Sequence, residues 1–542
     1  MSTTGGFEPA GFEPTEPTGS AESTELPEFG EPAKARRLPG RRTWIAVGVA
    51  LAVAASAGSG FAVGTVVGGG GTQPEDVLPD TVVAYADVDL DPAAQQKVNL
   101  VRLLGRFPDV EQKYGSEPDV RAVVVDWLVE GTELQDADVS AWIGDRVGVG
   151  VSLDANAKAL TPVAALQVTD EDAAVADLGL VLDPEQIAVT NGYVIVTGNL
   201  LDEFAALDGL DGLITDAGPG SQSAAEVVAA GEAAPLSQSV GFIDVFDHLD
   251  DGLLTTYVDG EGIAAAGDQL VGSLGITAPS LNDSLTSAAE SGQVGAVLRA
   301  EPNALEFLAW SSSPPQGGAA TAQLAATLPQ STLFAVEFTG GSQLVADRWA
   351  EAVDNAKQTG SLPPRQLESG LAELEAQYGI KLPDDLETLV GEDAVLAVDG
   401  EGLLTSVPGI GMRSVTDPTA GTALAARIES ALASLTGGFG ITAKGTSDGM
   451  VVATTDDYAA QLESGDGDLG ADPTYQDALP DAANASSLVW IDFSAVRGFA
   501  ALAAPEAAGV LKPLDAFGAT VSPDDGGSLV RARLVFSDGS DS

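Results

Sequence analysis

The sequence predicts an α+β protein in which helices pack on largely antiparallel sheets, in two related copies preceded by one transmembrane helix. Three observations lead to this fold class. Trp44–Val67 is a run of 24 uncharged residues, and several segments recur in the same order later in the chain. Short apolar runs bounded by Asn-Gly or Asp-Gly turns alternate with amphipathic stretches. Such turns favour antiparallel hairpins over crossover connections.

Trp44–Val67 has the length of a membrane-spanning helix. At roughly 1.5 Å per residue it crosses the roughly 30 Å hydrocarbon core with some tilt. Four arginines lie in the eight residues before it, whereas the next charge after it is Glu75. The positive-inside rule therefore places residues 1–43 in the cytoplasm and the following domain outside. The alternative is a cleaved signal peptide, for which Ala54–Ala57 supplies small residues, but its n-region would be unusually long.

Four segments after the anchor recur later in the chain at offsets of 250, 247, 247 and 257 residues, and a fifth pair follows at an offset of 233. Collinear matches of this kind indicate an internal duplication. The pairs are Leu78–Val88 with Leu328–Phe338, Trp142–Val151 with Leu389–Val398, Val168–Asp170 with Val415–Asp417, Asn191–Thr197 with Asp448–Thr454, and Thr256–Asp259 with Val489–Asp492.

The pattern divides the chain into seven parts. Residues 1–35 are rich in Pro, Glu, Gly and Thr and predict disorder. The parts are a cytoplasmic tail at 1–43, the transmembrane helix at 44–67, a linker at 68–77, the first copy at 78–310, a linker at 311–327, the second copy at 328–536 and a disordered end at 537–542. The phrase Gly-Phe-Glu-Pro occurs twice in the tail, which suits a docking motif for a cytoplasmic partner or low-complexity drift.

Helices are predicted from caps and apolar spacing. Asp91-Pro92 predicts a helix start, with Val98, Val101, Leu104 and Phe107 on its inner face. Ser342 is the predicted cap of a helix in the second copy. A second apolar stripe runs over 120–128, and Asp216–Ser237, rich in Ala, Gly, Ser and Pro, reads as a long loop.

Composition excludes several functions. The chain has no cysteine and one histidine, His248, so thiol catalysis and multi-histidine metal sites are excluded. After residue 43 there are 73 acidic and 19 basic residues. This surface repels nucleic acid, so a nucleic-acid partner is not expected. The same acidity is also typical of a surface that only keeps the protein soluble, or of adaptation to high salt.

Three local patterns could carry chemistry, and each has a plainer structural interpretation. Gly445–Gly449 matches G-x-S-x-G but leads into a strand, which favours a hairpin turn. His248 lies among Asp244, Asp247, Asp250 and Asp251, which suits a metal site or a solvated helix end. Asp466, Asp468 and Asp472 suit a weak calcium site or an acidic turn. Trp127, Trp142, Trp310, Trp349 and Trp490 occur in apolar contexts typical of a core.

With these segments in view, the chain resembles an actinobacterial family of membrane proteins known as domain of unknown function 3352. The resembling residues are Leu78–Pro92, Ala141–Val151, Thr161–Asp172 and Gly252–Asp259. The resemblance spans nearly all of residues 40–536 and includes the single anchor. It implies this topology and an actinobacterial source, but no activity and no site residue.

The sequence therefore predicts a single-pass protein of the cell membrane with an acidic extracytoplasmic domain. The leading hypothesis is a non-catalytic binding or scaffold module that binds an envelope protein or a small ligand. One alternative is a lipid- or glycan-handling domain with an apolar groove between the copies, and another is a hydrolase using paired carboxylates. No catalytic, cofactor-binding or metal-binding residue and no cofactor is predicted.

Overall fold

The strands form one continuous sheet in a computed structural model of the chain. The structure describes residues 72–106, 121, 125, 139–154, 159–198, 222–264, 292–314, 321–358, 364–401, 407–436, 441–494, 496–497 and 511–537. The first eight strands, called the first half, are β1 Val82–Asp89, β2 Ile143–Asp154, β3 Ala159–Val168, β4 Ile187–Thr190, β5 Tyr193–Thr197, β6 Leu254–Asp259, β7 Gln293–Ala300 and β8 Ala304–Ser311. The second half comprises β9 Thr332–Thr339, β10 Asp393–Asp399, β11 Ile410–Val415, β12 Thr442–Gly445, β13 Gly449–Ala453, β14 Ser487–Asp492, β15 Leu514–Val521 and β16 Ser528–Phe536.

The two halves have the same strand order. Across the 16-stranded sheet the order is β12-β13-β11-β10-β9-β14-β15-β16-β8-β7-β6-β1-β2-β3-β5-β4. Read outward from the centre, each half runs through its last, second-last, sixth, first, second, third, fifth and fourth strand. All neighbouring strands are antiparallel. The α+β class and the antiparallel pairing are thus confirmed.

Two separate sheets were expected, but the structure has one. The last strands of the halves, β8 and β16, pair along their whole lengths, from Ser528 opposite Ser311 to Val535 opposite Ala304. A free strand edge presents unpaired backbone N–H and C=O groups. The pairing of β8 with β16 removes one such edge from each half. The remaining edges, β4 and β12, are four residues long each.

The helices lie between strands in chain order. They are α1 Ala94–Leu104, α2 Val139–Trp142, α3 Glu171–Leu178, α4 Ala224–Ala233, α5 Val240–Phe246, α6 Gly341–Gln358, α7 Pro364–Tyr378, α8 Asp384–Val390, α9 Pro418–Thr436, α10 Asp456–Ser464 and α11 Pro473–Ala478. None of the helices in the described part of the chain is long and apolar enough to cross a membrane. Trp44–Val67, the tail and the C-terminal residues 538–542 lie outside the described residues.

Two helix predictions are wrong in detail. The predicted start, with Asp91 as cap and Pro92 as first helical residue, lies two residues early, since α1 begins at Ala94 without a side-chain cap. Its inner face carries Asn99 and Leu103, whereas Val98 is 54% exposed. Asn99 is buried because its amide donates to the C=O of Ala300 at 2.8 Å, a contact that a purely apolar stripe could not reveal. In the second copy Ser342 lies inside the helix instead of capping it, since α6 begins at Gly341, two residues earlier than predicted.

The predicted loop Asp216–Ser237 contains a helix, α4. Ser223 accepts a hydrogen bond from the N–H of Glu226, and Glu226 accepts from the N–H of Ser223, which is a capping box. The alanines that suggested a loop are strong helix formers. Their helix buries Ala224, Val227 and Gly231 against the sheet, so the loop prediction is wrong over this part.

Candidate binding face

Alternation along the strands sorts the side chains onto two faces of the sheet. Residues directly opposite each other in an antiparallel ladder share a face. Leu396 of β10 has a directly opposite residue on each neighbouring strand, and each of those has one on the next strand. Together these residues form a row across the sheet, which we call the rung, with one residue from each strand. Every residue of this rung is apolar: Ala443, Val452, Met412, Leu396, Val336, Val489, Ala519, Ala532, Phe307, Leu298, Leu254, Val88, Val147, Leu166, Val194 and Val189.

We call the side of the sheet that carries this rung the apolar face. The residues two positions before and after each rung residue lie on the same face and flank the rung. On one side they include Ile410, Val398, Phe334, Ile491, Phe517, Leu534 and Leu305. On the other side they are Ala394, Phe338, Ser487, Val521, Val530, Ala309, Ala296, Thr256 and Ala86. None of these positions carries a charge.

The apolar face is covered over β12–β13 and over β2–β3, and between them it is only partly accessible, since Ala394, Val530, Ala309 and Ala296 beside the rung are buried. At the β12–β13 end, Leu424 of α9 packs with Ala443 and Met450. At the other end, Val147 and Leu166 are buried in one cluster with Val125 and Trp142. Between these ends, from Val452 to Val88, no rung residue is buried, and Leu396 is 42% exposed.

The opposite side, which we call the charged face, carries the larger cores. Leu236, Phe242 and Val245 pack on it in the first half, and Leu469, Tyr475 and Leu479 in the second. The packing is closely similar: the ring centroids of Phe242 and Tyr257 are 5.3 Å apart, and those of Tyr475 and Trp490 are 5.2 Å apart. Short helices therefore close this face in both halves.

A buried carboxylate joins the halves on the charged face. Glu306 of β8 has a side chain that is 4% exposed, and its Oε1 accepts a hydrogen bond from Arg531 Nη1 at 2.8 Å. Arg533 Nε lies 3.6 Å from the same oxygen, and Arg299 Nη1 lies 3.8 Å from Oε2. Asp250 and Asp481 neutralise the outer sides of Arg299 and Arg531. The cluster is an ion-pair network across the β8–β16 junction.

A second buried carboxylate, Glu337 of β9, holds the chain that enters the second half. Its two oxygens accept hydrogen bonds from the N–H groups of Leu324, at 2.7 Å, and Ala325, at 2.6 Å. Asp393 of β10 is hydrogen-bonded to Glu337. Burial raises the pKa of both groups, and the negative charge of Glu337 helps to raise the pKa of Asp393 to about 8. This is a paired carboxyl group that holds a proton at neutral pH.

The pair does not provide the hydrolase geometry considered from the sequence. Glycoside hydrolases keep their two carboxyls roughly 5–10 Å apart around the scissile bond. Glu337 and Asp393 instead contact each other, and Glu337 is fully buried with both oxygens bound to backbone N–H groups. A substrate cannot lie between them.

His248 is occupied by contacts from distant parts of the chain. Its ring stacks on Trp310 at a centroid distance of 4.3 Å, and its Nδ1 lies 2.9 Å from the buried Oδ2 of Asp524. The indole Nε1 of Trp310 donates to the same oxygen at 3.0 Å. The contact of His248 is close but poorly aligned for a hydrogen bond. Asp524 was not predicted as a partner, because no local pattern links residues so far apart in the sequence.

The acidic residues around His248 do not converge on it. Asp244 and Asp247 are exposed, and Asp250 Oδ2 accepts from Arg299 Nη1 at 2.7 Å. Phe242, Val245 and Leu249 are buried, which confirms the solvated helix end. Within the described ranges, no three His, Asp or Glu side chains are grouped to hold a metal ion.

The other sequence patterns are structural. Gly445 ends β12 and Gly449 begins β13, with the N–H of Thr446 donating to the C=O of Gly449, so the predicted hairpin is confirmed. Asp472 caps α11 and accepts from the N–H groups of Thr474 and Tyr475. Trp142, Trp310 and Trp490 are buried as predicted, Trp349 is half-buried, and Trp127 lies outside the described residues.

Comparisons with known proteins give no family. No protein-family model and no curated protein matches the chain. Among solved structures, crystal form III of TP0453 matches with 10% identity and a TM-score of 0.17, over 47% of this chain and 84% of that one. Crystal form I matches with 11% identity and a TM-score of 0.16, over 47% and 82%. Neither likeness is strong enough to inform fold or function.

Proposed function

We propose that the chain is a single-pass protein of the cell envelope whose duplicated exterior is a non-catalytic binding module. Residues 1–43 lie in the cytoplasm, Trp44–Val67 spans the membrane, and the sheet lies outside. The anchor is supported by the uncharged run and by the arginines before it.

The duplication is supported by equivalent contacts as well as by the shared strand order. At a constant separation of 233 residues, Leu236 corresponds to Leu469, the cap Ser239 to the cap Asp472, and Phe242 to Tyr475. Tyr257 and Trp490, each in contact with its aromatic partner, are separated by the same 233 residues. Copies that descend from one ancestral unit keep this spacing, whereas unrelated domains would not.

The open middle of the apolar face is the observation that carries the binding function. Leu396 and Ile410, on neighbouring strands of this face, are 42% and 41% exposed, and exposed apolar patches mark interaction sites. The charged groups described above are instead committed to internal pairs, such as Glu306 with Arg531 and His248 with Asp524. The geometry of these described residues therefore supports binding by apolar contact.

Site-specific photocrosslinking in the native membrane tests this function. A photoreactive residue is introduced into the full-length chain at Leu396 or Ile410, both exposed on the apolar face, and at exposed Asp525 as a control. We expect adducts from the first two positions and none from the control. Equal adducts at all three, or none at all, would overturn a binding role for this face.

The topology has its own test, because the chain contains no cysteine. Single-cysteine variants Ser2→Cys and Asp525→Cys are exposed to a membrane-impermeant maleimide in whole cells. We expect labelling of the second variant alone until the cells are lysed. Labelling of the first in intact cells would overturn the predicted orientation.

A further inference from the structure

We propose that residues 72–78, which we call the first strap, are held on the sheet by a proton on the carboxyl pair Glu75–Asp87, and that rising pH releases them. The first strap lies on the charged face of the first half, directly before β1. The carrying observation is a carboxyl group in this strap that the equivalent strap of the second half lacks. Because the chain before residue 72 leads to the predicted anchor, a role of the strap as a tether to the membrane rests on the proposed function.

The first strap packs closely on the sheet. At its start, the C=O of Thr72 accepts a hydrogen bond from the hydroxyl of Tyr193 at 2.8 Å. Pro74 is buried and lies over Gly148 of β2, where an added Cβ would come within 2.5 Å of the Cβ of the proline. A side chain at this glycine would therefore displace the strap, so the sheet is shaped to receive it.

The second half has an equivalent strap, residues 322–328, which lies 250 residues later. The last residue of each strap makes the same backbone contact. The C=O of Leu78 accepts from the N–H of Leu236 at 2.8 Å, and the C=O of Leu328 accepts from the N–H of Leu469 at 3.0 Å. The two straps are thus held at their ends in the same way.

The straps differ at the position next to the carboxyl of the first strand. In the second strap, Ala325 donates its N–H to Glu337 at 2.6 Å. The residue 250 positions earlier is Glu75, and the residue equivalent to Glu337 is Asp87. Oε2 of Glu75 accepts from the hydroxyl of Tyr85 at 2.8 Å. Since alanine serves this position in the second half, packing does not require a carboxyl there, and Glu75 adds a group that titrates.

The surroundings of Glu75 and Asp87 are mostly acidic. The titratable groups that face the pair come from the strap and from β1, β2 and β5: Asp76, Tyr85, Asp89, Arg146 and Tyr193. Burial raises the pKa of Glu75. Burial and then the charge of Glu75 raise the pKa of Asp87 well above its ordinary value, although Thr255 and Arg146 act against this rise.

Rising pH therefore weakens the hold on the first strap. The unfolded chain releases the proton of Asp87 near the ordinary value of about 3.9, whereas the folded chain keeps it to higher pH. The stabilisation is complete below that value and is lost as pH rises through the raised pKa of Asp87. Two carboxylates then repel each other beneath the strap. Once released, residues 72–78 can extend to about 25 Å, at about 3.6 Å per residue, and lengthen the connection between anchor and sheet.

Hydrogen exchange of the full-length chain in detergent, followed by mass spectrometry, measures this release. The N–H groups of Val77 and Leu78 donate to the C=O of Pro74, so a peptide covering 73–81 reports on the strap. After correction for intrinsic rates, we expect its protection to fall at least about tenfold between pH 5 and pH 9, which corresponds to one unit of pKa shift. A peptide covering 473–479 of α11 records any global loss of stability, and the fall in the strap should exceed the fall there.

Variants assign the effect to the carboxyl pair. Glu75→Ala gives the first strap the residue of the second strap, and Asp87→Asn removes the other carboxyl. Both should abolish the excess fall in protection. Asp80→Asn, at an exposed carboxyl beyond the strap, should leave it unchanged. If Glu75→Ala loosens the strap already at pH 5, Glu75→Gln takes its place, because its amide oxygen still accepts from Tyr85.

Three results would overturn the proposal. One is constant protection of the wild-type strap, the second is an equal fall in the wild type and both carboxyl variants, and the third is a fall that α11 matches. The measurement is independent of the proposed function. A constant strap together with the expected adducts at Leu396 would overturn this inference alone. A strap that loosens, together with labelling of Ser2→Cys in intact cells, would support its release and overturn the tether and the topology.

Discussion

Strand β2 of the first half is packed over on its apolar face, whereas the equivalent strand of the second half, β10, is exposed at Leu396. In the first half, Val149 of β2 packs against a buried cluster that includes Val125 and Trp142. In the second half, the equivalent Leu396 of β10 is 42% exposed, while α7 packs against α9. The comparison teaches that one strand order can serve a closed core in one half and an accessible surface in the other.

The same two halves also differ at a pair of equivalent polar positions. Glu337 and Asp393 of the second half align with Asp87 and Arg146 of the first. Burial, with the nearby charge of Glu75, raises the pKa of Asp87, and Arg146 counteracts part of this rise. At these equivalent positions the first half places a cation, Arg146, near its buried carboxyl, although the charge of Glu75 acts on that carboxyl more strongly, and the second half places a second carboxyl there.

The largest expected effect comes from placing a charge on the covered part of the rung. Val147→Asp should lower the free energy of unfolding by about 4 kcal/mol, because it buries a carboxylate among apolar groups. Leu396→Asp should change it by no more than about 0.5 kcal/mol. Urea unfolding of both full-length variants in detergent, followed by tryptophan fluorescence, measures the difference. Equal losses would show that the two parts of the face are equally covered.

The second largest expected loss of stability comes from removing Glu306, the buried carboxylate at the β8–β16 junction. Glu306→Ala leaves Arg531 and Arg533 without their shared buried partner and should cost about 3 kcal/mol. Asp481→Ala removes a partner of Arg531 that is itself 41% exposed and should cost less than about 1 kcal/mol. Calorimetry of both variants checks the ratio, and a loss of equal size would contradict the central role of Glu306.

The paired carboxyls of the second half predict a pH dependence. Folded Asp393 keeps its proton up to about pH 8. The unfolded chain releases it near the ordinary value of about 3.9. The folded state therefore binds more protons in this window. The free energy of unfolding falls as pH rises from about 4 to 8, by at most about 1.4 kcal/mol per pH unit.

Asp393→Asn should flatten this slope, as measured by urea unfolding at several pH values. Asp448→Asn is the matched control. Burial would raise the pKa of Asp448, but hydrogen bonds from Thr446 and Arg413 outweigh it and lower the value. The stability that Asp448 contributes is lost only as pH falls through that lowered pKa, so its slope between pH 5 and 8 should persist. A slope that survives Asp393→Asn would assign the pH dependence elsewhere.

The smallest expected losses of stability come from removing two equivalent helix caps, Asp472 and Ser239. Asp472 accepts from two N–H groups of α11, whereas Ser239 accepts from one N–H of α5, that of Phe242 at 3.2 Å. Asp472→Ala should cost about 1.5 kcal/mol and Ser239→Ala about 0.5 kcal/mol. Thermal unfolding of the two variants gives the order, and a reversed order would contradict the stronger capping by Asp472.

Much of the fold could be predicted from local patterns. The repeated segments fall on corresponding strands, β1 with β9, β2 with β10, β5 with β13 and β6 with β14, because apolar alternation and Gly turns are encoded locally. Asn191 and Gly192, both at positive φ, form the predicted turn between β4 and β5. The pairing of β8 with β16 could not be predicted, since strands more than 200 residues apart carry no shared local signal.

The candidate site was only partly accessible from the sequence. An apolar groove between the copies was one hypothesis, whereas the exposed apolar residues Leu396 and Ile410 lie on strands β10 and β11 of the second half. Their position depends on strand register, which composition does not give. The sequence nevertheless contained a signal for this face. Strands such as β1, β9 and β14 alternate apolar residues with polar or larger ones, so every second residue of these strands is uncharged. The partners of Glu306 and His248 come from distant strands, and no spacing rule reaches them.

The junction between β8 and β16 has a consequence for biogenesis. Strand β16 is made last, so the edge of β8 stays unpaired until nearly the whole chain has emerged. Throughout that interval the first half presents both a free strand edge and an incompletely covered apolar surface, the two features that make folding intermediates aggregate. Tethering by the N-terminal anchor that we propose would hold neighbouring nascent chains apart in the plane of the membrane. Shortening the chain before β16 should convert a stable protein into one that depends on chaperones.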